Sequence, residues 1–210
     1  MKTTDVLIVG AGPAGIFTAV EMIRQGTKRR ITIVEKGQPV EKRACPKEKT
    51  HHCMSCKPYC HITTGFSGAG AFSDGKLSLS TDVGGDFPNL VGEDTVEELI
   101  RYADDIYLEF GADTRVEGVG NDEEVKKIRM RAIQAGLKLV DCPIRHLGTE
   151  KAQGIYFAIE QYLLKNGVEM LFGYECTNLI LEDQVCRGAY LAKGDERLEI
   201  HAQDVVVATG

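Results

Sequence analysis

Long apolar runs and concentrated positive charge are both missing from this chain of 210 residues. No stretch approaches the roughly 20 consecutive apolar residues that a membrane-spanning helix needs, so we expect no membrane partner. Basic residues form no stripe, and the net charge is −6, so nucleic acid is not an expected partner either. The sequence contains no internal repeat, and its length suits one substantial domain or one domain with a large insert.

A recognisable export signal is also lacking. The apolar run that follows Lys2 is interrupted by glycines, and a dinucleotide-binding turn explains it better than a signal peptide does. A cytoplasmic location is therefore the default expectation. The seven cysteines are an odd number, which, without an export signal, favours free thiols over a disulfide framework.

The N-terminal segment has the order of a dinucleotide-binding βαβ unit. Residues 5–9 are a short apolar run, typical of a buried parallel strand. A G-x-G-x-x-G motif follows, and then apolar residues at helical spacing. Residues 31–34 form a second apolar run, which ends in Glu35. The motif consists of Gly10, Gly12 and Gly15, with Pro13 and Ala14 before the last glycine.

Each of these positions has a physical role in binding a dinucleotide. Gly10 permits the tight turn, Gly12 lets a pyrophosphate approach the backbone, and Gly15 lets the helix pack close to the strand. The phosphates then lie at a helix N-terminus, where free N–H groups favour negative charge. Glu35 follows Gly15 by 20 residues, a spacing typical of an acid that binds the ribose. The motif predicts FAD or NAD rather than NADP, and Lys36 joins the predicted contacts.

Four of the seven cysteines fall close together, separated by seven, two and three residues. One C-x2-C pair can direct two sulfurs at one ion, but a zinc ribbon has two such pairs and a ferredoxin-type run has a further C-x2-C step. Three interpretations stay open: a metal or cluster site, a redox-active thiol pair beside a flavin, and reduced structural cysteines. The candidate ligands are Cys45, Cys53, Cys56 and Cys60.

A second run of small residues spans positions 65–77. Such a run lets the backbone approach a flat or anionic ligand closely, so we expect it near the flavin ring or the pyrophosphate. Arg43 could reach a cofactor phosphate, and a solvated loop arginine is the alternative. The predicted contacts in the run are Ser67, Gly68, Ala69, Gly70, Asp74 and Lys76.

The rest of the chain predicts helices and strands that surround this unit. We expect packing helices at 93–110 and 121–136, a short strand at 137–140, a helix at 151–165 and a third parallel strand at 168–172. Three short antiparallel strands follow, and another buried strand begins at residue 204. Arg145 and His146 are candidate contacts for substrate or cofactor, with a structural histidine as the alternative.

This order of elements resembles the glutathione-reductase-like flavoproteins, which have two dinucleotide-binding folds. Within that class the chain is most similar to a group of bacterial FAD-dependent dehydrogenases. The similarity rests on the cysteine-rich stretch followed by residues 65–77, and on residues 145–149, where the group has R-H-x-G-T. The resemblance implies that adenine lies near Cys176 and that an A-T-G strand end passes near the cofactor. That strand end is Ala208, Thr209 and Gly210.

The expected fold class is α/β: a Rossmann-like parallel sheet with a three-stranded antiparallel meander and an inserted, largely helical segment. Residues 1–80 would form the FAD-binding βαβ unit with its cysteine-rich and glycine-rich loops. Residues 81–150 would form the insert on the substrate side, and residues 151–210 would return to the FAD-binding domain. Members of the group continue past the A-T-G strand, so we expect a C-terminal half that is missing here.

The function that the resemblance implies is an FAD-dependent oxidoreductase. It would move electrons or hydride through FAD to or from an unidentified small-molecule substrate, with NAD(P)H as a candidate electron donor. Three alternatives remain: an NAD-binding enzyme without flavin, a thiol- or metal-based redox-sensing module, and a flavoprotein that acts on RNA. The residues predict no catalytic acid or base.

Overall fold

The computed structural model describes residues 2–210, without the side chains of residues 149 and 150. These residues form nine strands: β1 (Lys2–Val9), β2 (Ile31–Glu35), β3 (Lys76–Ser78), β4 (Val116–Glu117), β5 (Ile144–His146), β6 (Glu169–Phe172), β7 (Glu175–Glu182), β8 (Val185–Lys193) and β9 (Glu196–Val207). They also form six α-helices: α1 (Pro13–Arg24), α2 (Lys47–Thr50), α3 (Phe87–Val91), α4 (Glu93–Glu109), α5 (Asp122–Gln134) and α6 (Thr149–Lys165). Single 3-10 turns lie at Val40–Lys42 and Gly70–Phe72.

Two compact units make up the chain. The first comprises Met1–Phe72 and Tyr156–Gly210, and the second comprises Ser73–Ile155. Helix α6 contributes residues to both. The division of the chain into an FAD-binding part and an insert at residues 80 and 150 stays a prediction. None of the helices in the described part of the chain is both long and apolar enough to cross a bilayer.

The first unit is built on a six-stranded sheet in the order β6-β2-β1-β9-β8-β7. Strands β6, β2, β1 and β9 run parallel to one another, whereas β9, β8 and β7 form an antiparallel meander. This topology confirms the predicted α/β class. Residues 6–9 of β1 are apolar and buried, and all five residues of β2 are buried, as a parallel sheet covered on both faces requires.

Alternating side chains of β1 supply the two faces of the sheet. On one face Leu7 and Val9 join a buried apolar cluster with residues of β2, β8 and β9, among them Leu191 and Ile200. On the other face Ile8 lies beneath the first turn of α1, close to Gly15. The core therefore continues from the parallel strands into the meander, which ties the two halves of the sheet together.

One strand differs from the sequence-based expectation. The third meander strand and the final A-T-G strand were expected as separate elements, but the structure joins them in β9. Residues 196–201 of β9 pair with β8, and residues 200–207 pair with β1. The predicted break lies at Ala202 and Gln203, which are not turn-forming residues. The strand can continue there because pairing with β1 begins where pairing with β8 ends.

The second unit contains α3, α4 and α5 and a small antiparallel sheet in the order β3-β5-β4. Helix α4 buries Val96, Ile106 and Tyr107 along one side, as its spacing predicts. Helix α5 differs from expectation, because none of its residues is buried and Ile133 is 65% exposed. In the chain as described, residues 137–140 form no strand.

Glu160 gives the first unit a pH-dependent stability. Its side chain is buried and accepts a hydrogen bond from the Val40 N–H, with Val40 N 3.2 Å from Glu160 Oε2. Burial raises the pKa of Glu160 from 4.5 to about 7; nearby Glu41 adds to the rise, and the Val40 hydrogen bond opposes it. Between these two pKa values the unfolded chain loses a proton that the folded chain keeps, so stability falls as pH rises from about 4.5 to 7.

We therefore expect the Tm of the wild-type chain to fall more between pH 5 and pH 8 than the Tm of Glu160→Gln. The expected difference between the two falls is about 3–6 °C. Thermal melts at several pH values measure it. Glu123→Gln, a change at an exposed carboxylate on α5, is the matched control and should follow the wild-type profile. Parallel profiles for wild type and Glu160→Gln would contradict the assignment.

Candidate cofactor-binding site

A cavity of about 400 Å³ lies in the first unit, at the carboxyl ends of β1, β2 and β9. In open α/β sheets this edge is where ligands bind. The volume falls within the range of small-molecule pockets. The lining consists of Val9, Gly10, Gly12, Pro13, Ala14, Val34, Glu35, Lys36, Thr63, Thr64, Gly65, Gly68, Tyr174, Glu175, Cys176, Ala208, Thr209 and Gly210.

The glycines of the G-x-G-x-x-G motif have different surroundings. Gly10 has a φ of +105°, and a Cβ there would overlap the Ala208 carbonyl oxygen. A Cβ on Gly15 would overlap the carbonyl oxygen of Gly10. A Cβ on Gly12 would instead meet nothing within 4 Å. Gly10 and Gly15 are therefore fixed by packing, whereas Gly12 keeps space open at the cavity wall.

The N-terminus of α1 faces this space. Gly12 is the N-cap, Pro13 occupies the first turn, and no acidic residue lies in that turn. The first N–H groups of a helix have no partner within the helix, and the helix dipole adds positive potential at this end. The cavity wall formed by residues 12–14 therefore suits an anionic group.

Glu35 is held rigidly at the end of β2. Its Oε2 accepts a hydrogen bond from the Ala11 N–H at 2.9 Å, and its Oε1 accepts one from the Gly37 N–H at 2.8 Å. The side chain is buried and lines the cavity. Each carboxylate oxygen can accept a further bond, so Glu35 can still receive hydroxyl donors from a ligand.

The loop of residues 63–68 forms another wall, and sequence reasoning found only part of it. The Ser67 N–H donates to the Ala11 carbonyl at 2.8 Å, and a Cβ on Gly68 would lie 3.9 Å from Gly12 Cα. The loop therefore packs directly on the G-x-G turn. Thr63, Thr64 and Gly65 line the cavity but were not predicted to do so, although Gly65 begins the run of small residues at 65–77.

Arg43 is engaged by the loop, and its predicted contact with a cofactor phosphate stays a prediction. Its guanidinium donates to the carbonyl oxygens of Phe66 at 2.5 Å, Gly68 at 2.7 Å and His61 at 3.0 Å, and it stacks on the Phe72 ring at 4.4 Å. Burial lowers the pKa of Arg43 to about 10. With its donors engaged by the loop and only 6% of the residue exposed, Arg43 holds the loop in place and does not line the cavity.

Several other predicted contacts from the small-residue run are not among the residues that line the cavity. Ser67 is buried and its Oγ accepts a hydrogen bond from the Ala71 N–H at 3.1 Å. A Cβ on Gly70 would lie 2.6 Å from the Tyr156 hydroxyl, so this glycine serves close packing. Ala69 is also outside the lining. Asp74 and Lys76 belong to the second unit and pair with each other at 3.1 Å. Their predicted roles toward a cofactor remain predictions.

The turn between β6 and β7 completes the cavity wall. The N–H groups of Gly173 and Tyr174 donate to the Glu35 carbonyl at 2.8 and 3.2 Å, which fixes this turn beside β2. Cys176 lines the cavity, and burial raises the pKa of its thiol. Its predicted place near adenine stays a prediction. The sequence analysis missed Tyr174 and Glu175, although they directly precede Cys176, and missed the strand residues Val9 and Val34.

Two family models match this chain, and both describe an FAD binding domain. One matches residues 57–210 and the other matches residues 3–51. The first match alone covers more than half of the sequence, so the chain belongs to the FAD-binding-domain family.

One curated protein is similar in sequence to a short segment of this chain. A protein from Clostridium beijerinckii (strain ATCC 51743 / NCIMB 8052), described as uncharacterized, is 42% identical over 72 residues, which are 34% of this chain and 13% of that protein.

Solved structures share the fold over the whole chain. The L-amino acid deaminase from Proteus vulgaris matches 100% of this chain and 48% of its own, with a TM-score of 0.53 and 19% identity. The 3-ketosteroid-delta4-(5alpha)-dehydrogenase from Rhodococcus jostii RHA1 matches 100% of this chain and 46% of its own, with a TM-score of 0.59 and 15% identity. The chain therefore spans about half the length of these two proteins.

Proposed function

We propose that the cavity binds FAD through its adenosine diphosphate half and that the whole protein is an FAD-dependent oxidoreductase. The observation that carries the proposal is the open space at Gly12, where the N-terminus of α1 meets the cavity. The two FAD-binding-domain matches support FAD over NAD as the ligand.

The residues present fit this half of the cofactor. Gly12, Pro13 and Ala14 would hold the pyrophosphate, because the uncapped N–H groups of α1 and the helix dipole favour an anion there. Glu35 would accept hydroxyl hydrogens of the ribose, since its orientation is already fixed by two backbone N–H groups. The wall at Tyr174 and Cys176 would contact the adenine. Ala208–Gly210 would lie beside the bound cofactor.

When bound, FAD supplies the electron or hydride transfer chemistry, and the protein binds and orients it. In this proposal the chain's own residues bind the cofactor and exclude water from it, and they do not react themselves. No acid or base is assigned, and the substrate is a small molecule of undetermined class. NADH and NADPH are the electron donors to be tested first.

A titration with cofactor fragments tests the binding site. We expect FAD and ADP to bind the purified chain and to compete with each other, whereas FMN, which lacks the adenosine, binds more weakly. Calorimetry measures all three, and the visible flavin spectrum after gel filtration reports retained FAD. Binding of NAD without FAD would favour an NAD enzyme, and a folded chain that binds neither FAD nor ADP would overturn the proposal.

Gly12→Val separates binding from folding. Gly12 has a φ of −75°, which suits any residue, and a Cβ there meets no atom within 4 Å. The variant should therefore fold, with a Tm lowered by only a few degrees because valine is a poorer N-cap than glycine, while its side chain occupies space needed by the pyrophosphate. We expect FAD affinity to fall by about 100-fold or more, the effect of losing about 3 kcal/mol. Unchanged affinity would place the pyrophosphate elsewhere.

Reduction of the bound flavin tests the oxidoreductase part. We expect NADH or NADPH, or an added substrate in the reverse direction, to bleach the visible flavin band of the FAD-loaded protein under anaerobic conditions. Donor screening with the FAD-loaded chain measures this directly. If FAD binds tightly but no donor or substrate bleaches it, the proposed FAD site stands and the proposed oxidoreductase activity is overturned.

A further inference from the structure

Four cysteines that the proposed function does not use line one small cavity of the first unit. Its volume is about 220 Å³, and its wall includes Cys45, Cys53, Cys56 and Cys60, together with Lys57 and His61. All four sulfurs are free thiols. The loop thus collects at one place every cysteine of the cluster noted in the sequence, including Cys45, which lies seven residues before the next one.

We propose that this cavity is a metal site in which the four thiolates hold one zinc ion or one iron–sulfur cluster. Four sulfur donors select these two centres over harder cations, because thiolates are soft ligands. A zinc ion takes four of them tetrahedrally, and four cysteines also hold one [2Fe–2S] or [4Fe–4S] cluster. The inference goes beyond FAD binding and does not depend on it.

Positively charged side chains lie beside the cysteine-lined cavity. Arg43 Nε donates to the carbonyl oxygen of His61, a residue of the cavity wall, at 3.0 Å. Lys57 lies in the same cavity wall. Two cations beside the cluster offset the negative charge that four thiolates would bring to one ion.

The coordination sphere is not already assembled. Across residues 2–210, no group of three or more His, Cys, Asp or Glu side chains is arranged to hold a metal ion. Between residues 45 and 60 the described chain has no regular structure apart from the single helical turn of α2. Thiolate sites commonly form together with the metal rather than before it, so the proposal requires the loop to close around the ion.

The end of this loop is tied to the candidate cofactor site. The Arg43 Nε donates to the His61 carbonyl at 3.0 Å, and Thr63 and Thr64, two and three residues further on, line the larger cavity. Closing the cysteines on a metal would therefore order one wall of that cavity. Loss of the metal should weaken FAD binding without removing the glycine turn or Glu35.

Metal analysis of the anaerobically purified 210-residue chain tests the proposal. We expect either one zinc ion per chain or iron with acid-labile sulfide; the sulfide assay and the visible spectrum distinguish the two. If zinc is found, replacement by Co²⁺ should give the intense near-ultraviolet thiolate-to-cobalt band of a sulfur-rich site. Alkylation should modify four more thiols in the metal-stripped chain than in the loaded one.

A paired substitution locates the ligands. Cys53→Ser with Cys56→Ser should lower the metal content about tenfold or more, whereas Cys142→Ser, a cysteine of the second unit, should leave it unchanged. Circular dichroism confirms that each variant is folded. If the paired variant does not fold, the alkylation count on the wild-type chain decides alone.

Three results would overturn the metal site. The first is a folded wild-type chain without zinc or iron after reconstitution with Zn²⁺ or with Fe²⁺ and sulfide. The second is metal retained equally by the paired variant. The third is a disulfide among the four cysteines that forms in place of metal binding. FAD titrations on the same samples test the proposed function separately from the metal site. FAD should still bind, although more weakly, to a chain without metal.

Discussion

Replacing Arg145 by alanine is expected to destabilise the second unit by about 3–5 kcal/mol. Arg145 Nε lies 2.5 Å from Asp104 Oδ1, and Arg145 Nη2 lies 2.6 Å from Asp104 Oδ2. Its Nη1 also donates to the Asp113 carbonyl at 2.6 Å. The two side chains are only 5% and 12% exposed. Removing the guanidinium leaves a buried carboxylate without its partner, which costs far more than the pair contributes in water.

The same chain offers a matched exposed pair. Arg129 Nη2 lies 2.5 and 2.6 Å from the two carboxylate oxygens of Asp141, but these side chains are 44% and 64% exposed. Arg129→Ala should therefore cost about 0–1 kcal/mol, because water and salt screen the charges. The two pairs differ in burial and in the bond from Arg145 to the Asp113 carbonyl, so the difference between the two losses measures what the buried surroundings add.

Urea unfolding followed by circular dichroism measures both variants. The double variant Arg145→Met with Asp104→Leu should recover most of the loss, since apolar residues of similar volume can replace a buried ion pair. Equal effects of Arg145→Ala and Arg129→Ala would contradict this account. If Arg145→Ala alters ligand affinity while stability is unchanged, the residue contacts a ligand instead, which is the role that the sequence analysis considered.

Gly15→Ala is expected to destabilise the first unit by about 2–3 kcal/mol, although helix propensity alone predicts the opposite. Alanine is favoured over glycine inside a helix by about 1 kcal/mol, and Gly15 lies in the first turn of α1. However, the added Cβ would overlap the Gly10 carbonyl oxygen and lie 3.1 Å from Ile8 Cγ2. Backbone cannot move aside as a side chain can, so overpacking outweighs propensity.

Gly154→Ala is the control for this comparison. Gly154 also lies in a helix, α6, and a Cβ there meets nothing within 4 Å. We expect this variant to be more stable than wild type by about 0.5–1 kcal/mol. Chemical unfolding of both variants gives the sign directly. Stabilisation by Gly15→Ala would mean that α1 is not packed as closely on β1 as the structure shows.

The sequence predicted the βαβ unit well because its signals are local. The tight turn at Gly10, the helix spacing after it and the acid at the end of β2 all follow from neighbouring residues. The meander was predicted for the same reason, since its two hairpin connections carry charged and glycine-containing turns. Each signal depends on residues close together in sequence, where propensity and periodicity are informative.

The two buried arginines could not be placed in this way. Arg43 satisfies carbonyl groups 18 to 25 positions further along the chain, and Arg145 pairs with a carboxylate 41 positions away. Neither arrangement is visible in the local spacing of residues, and a loop arginine suggests an anion site equally well. The wall at Thr63 and Thr64 was missed because its place depends on the packing of a loop without regular structure.

Strand β9 has a consequence for the order of events during synthesis. Strand β1 leaves the ribosome long before β9, its partner along Lys2–Val9. Until residues 200–207 emerge, one edge of β1 has unpaired N–H and carbonyl groups and apolar side chains, which are prone to pair with other chains. Such a non-local pairing also slows folding. Release of the nascent chain before β9 should therefore favour aggregation over a native-like intermediate.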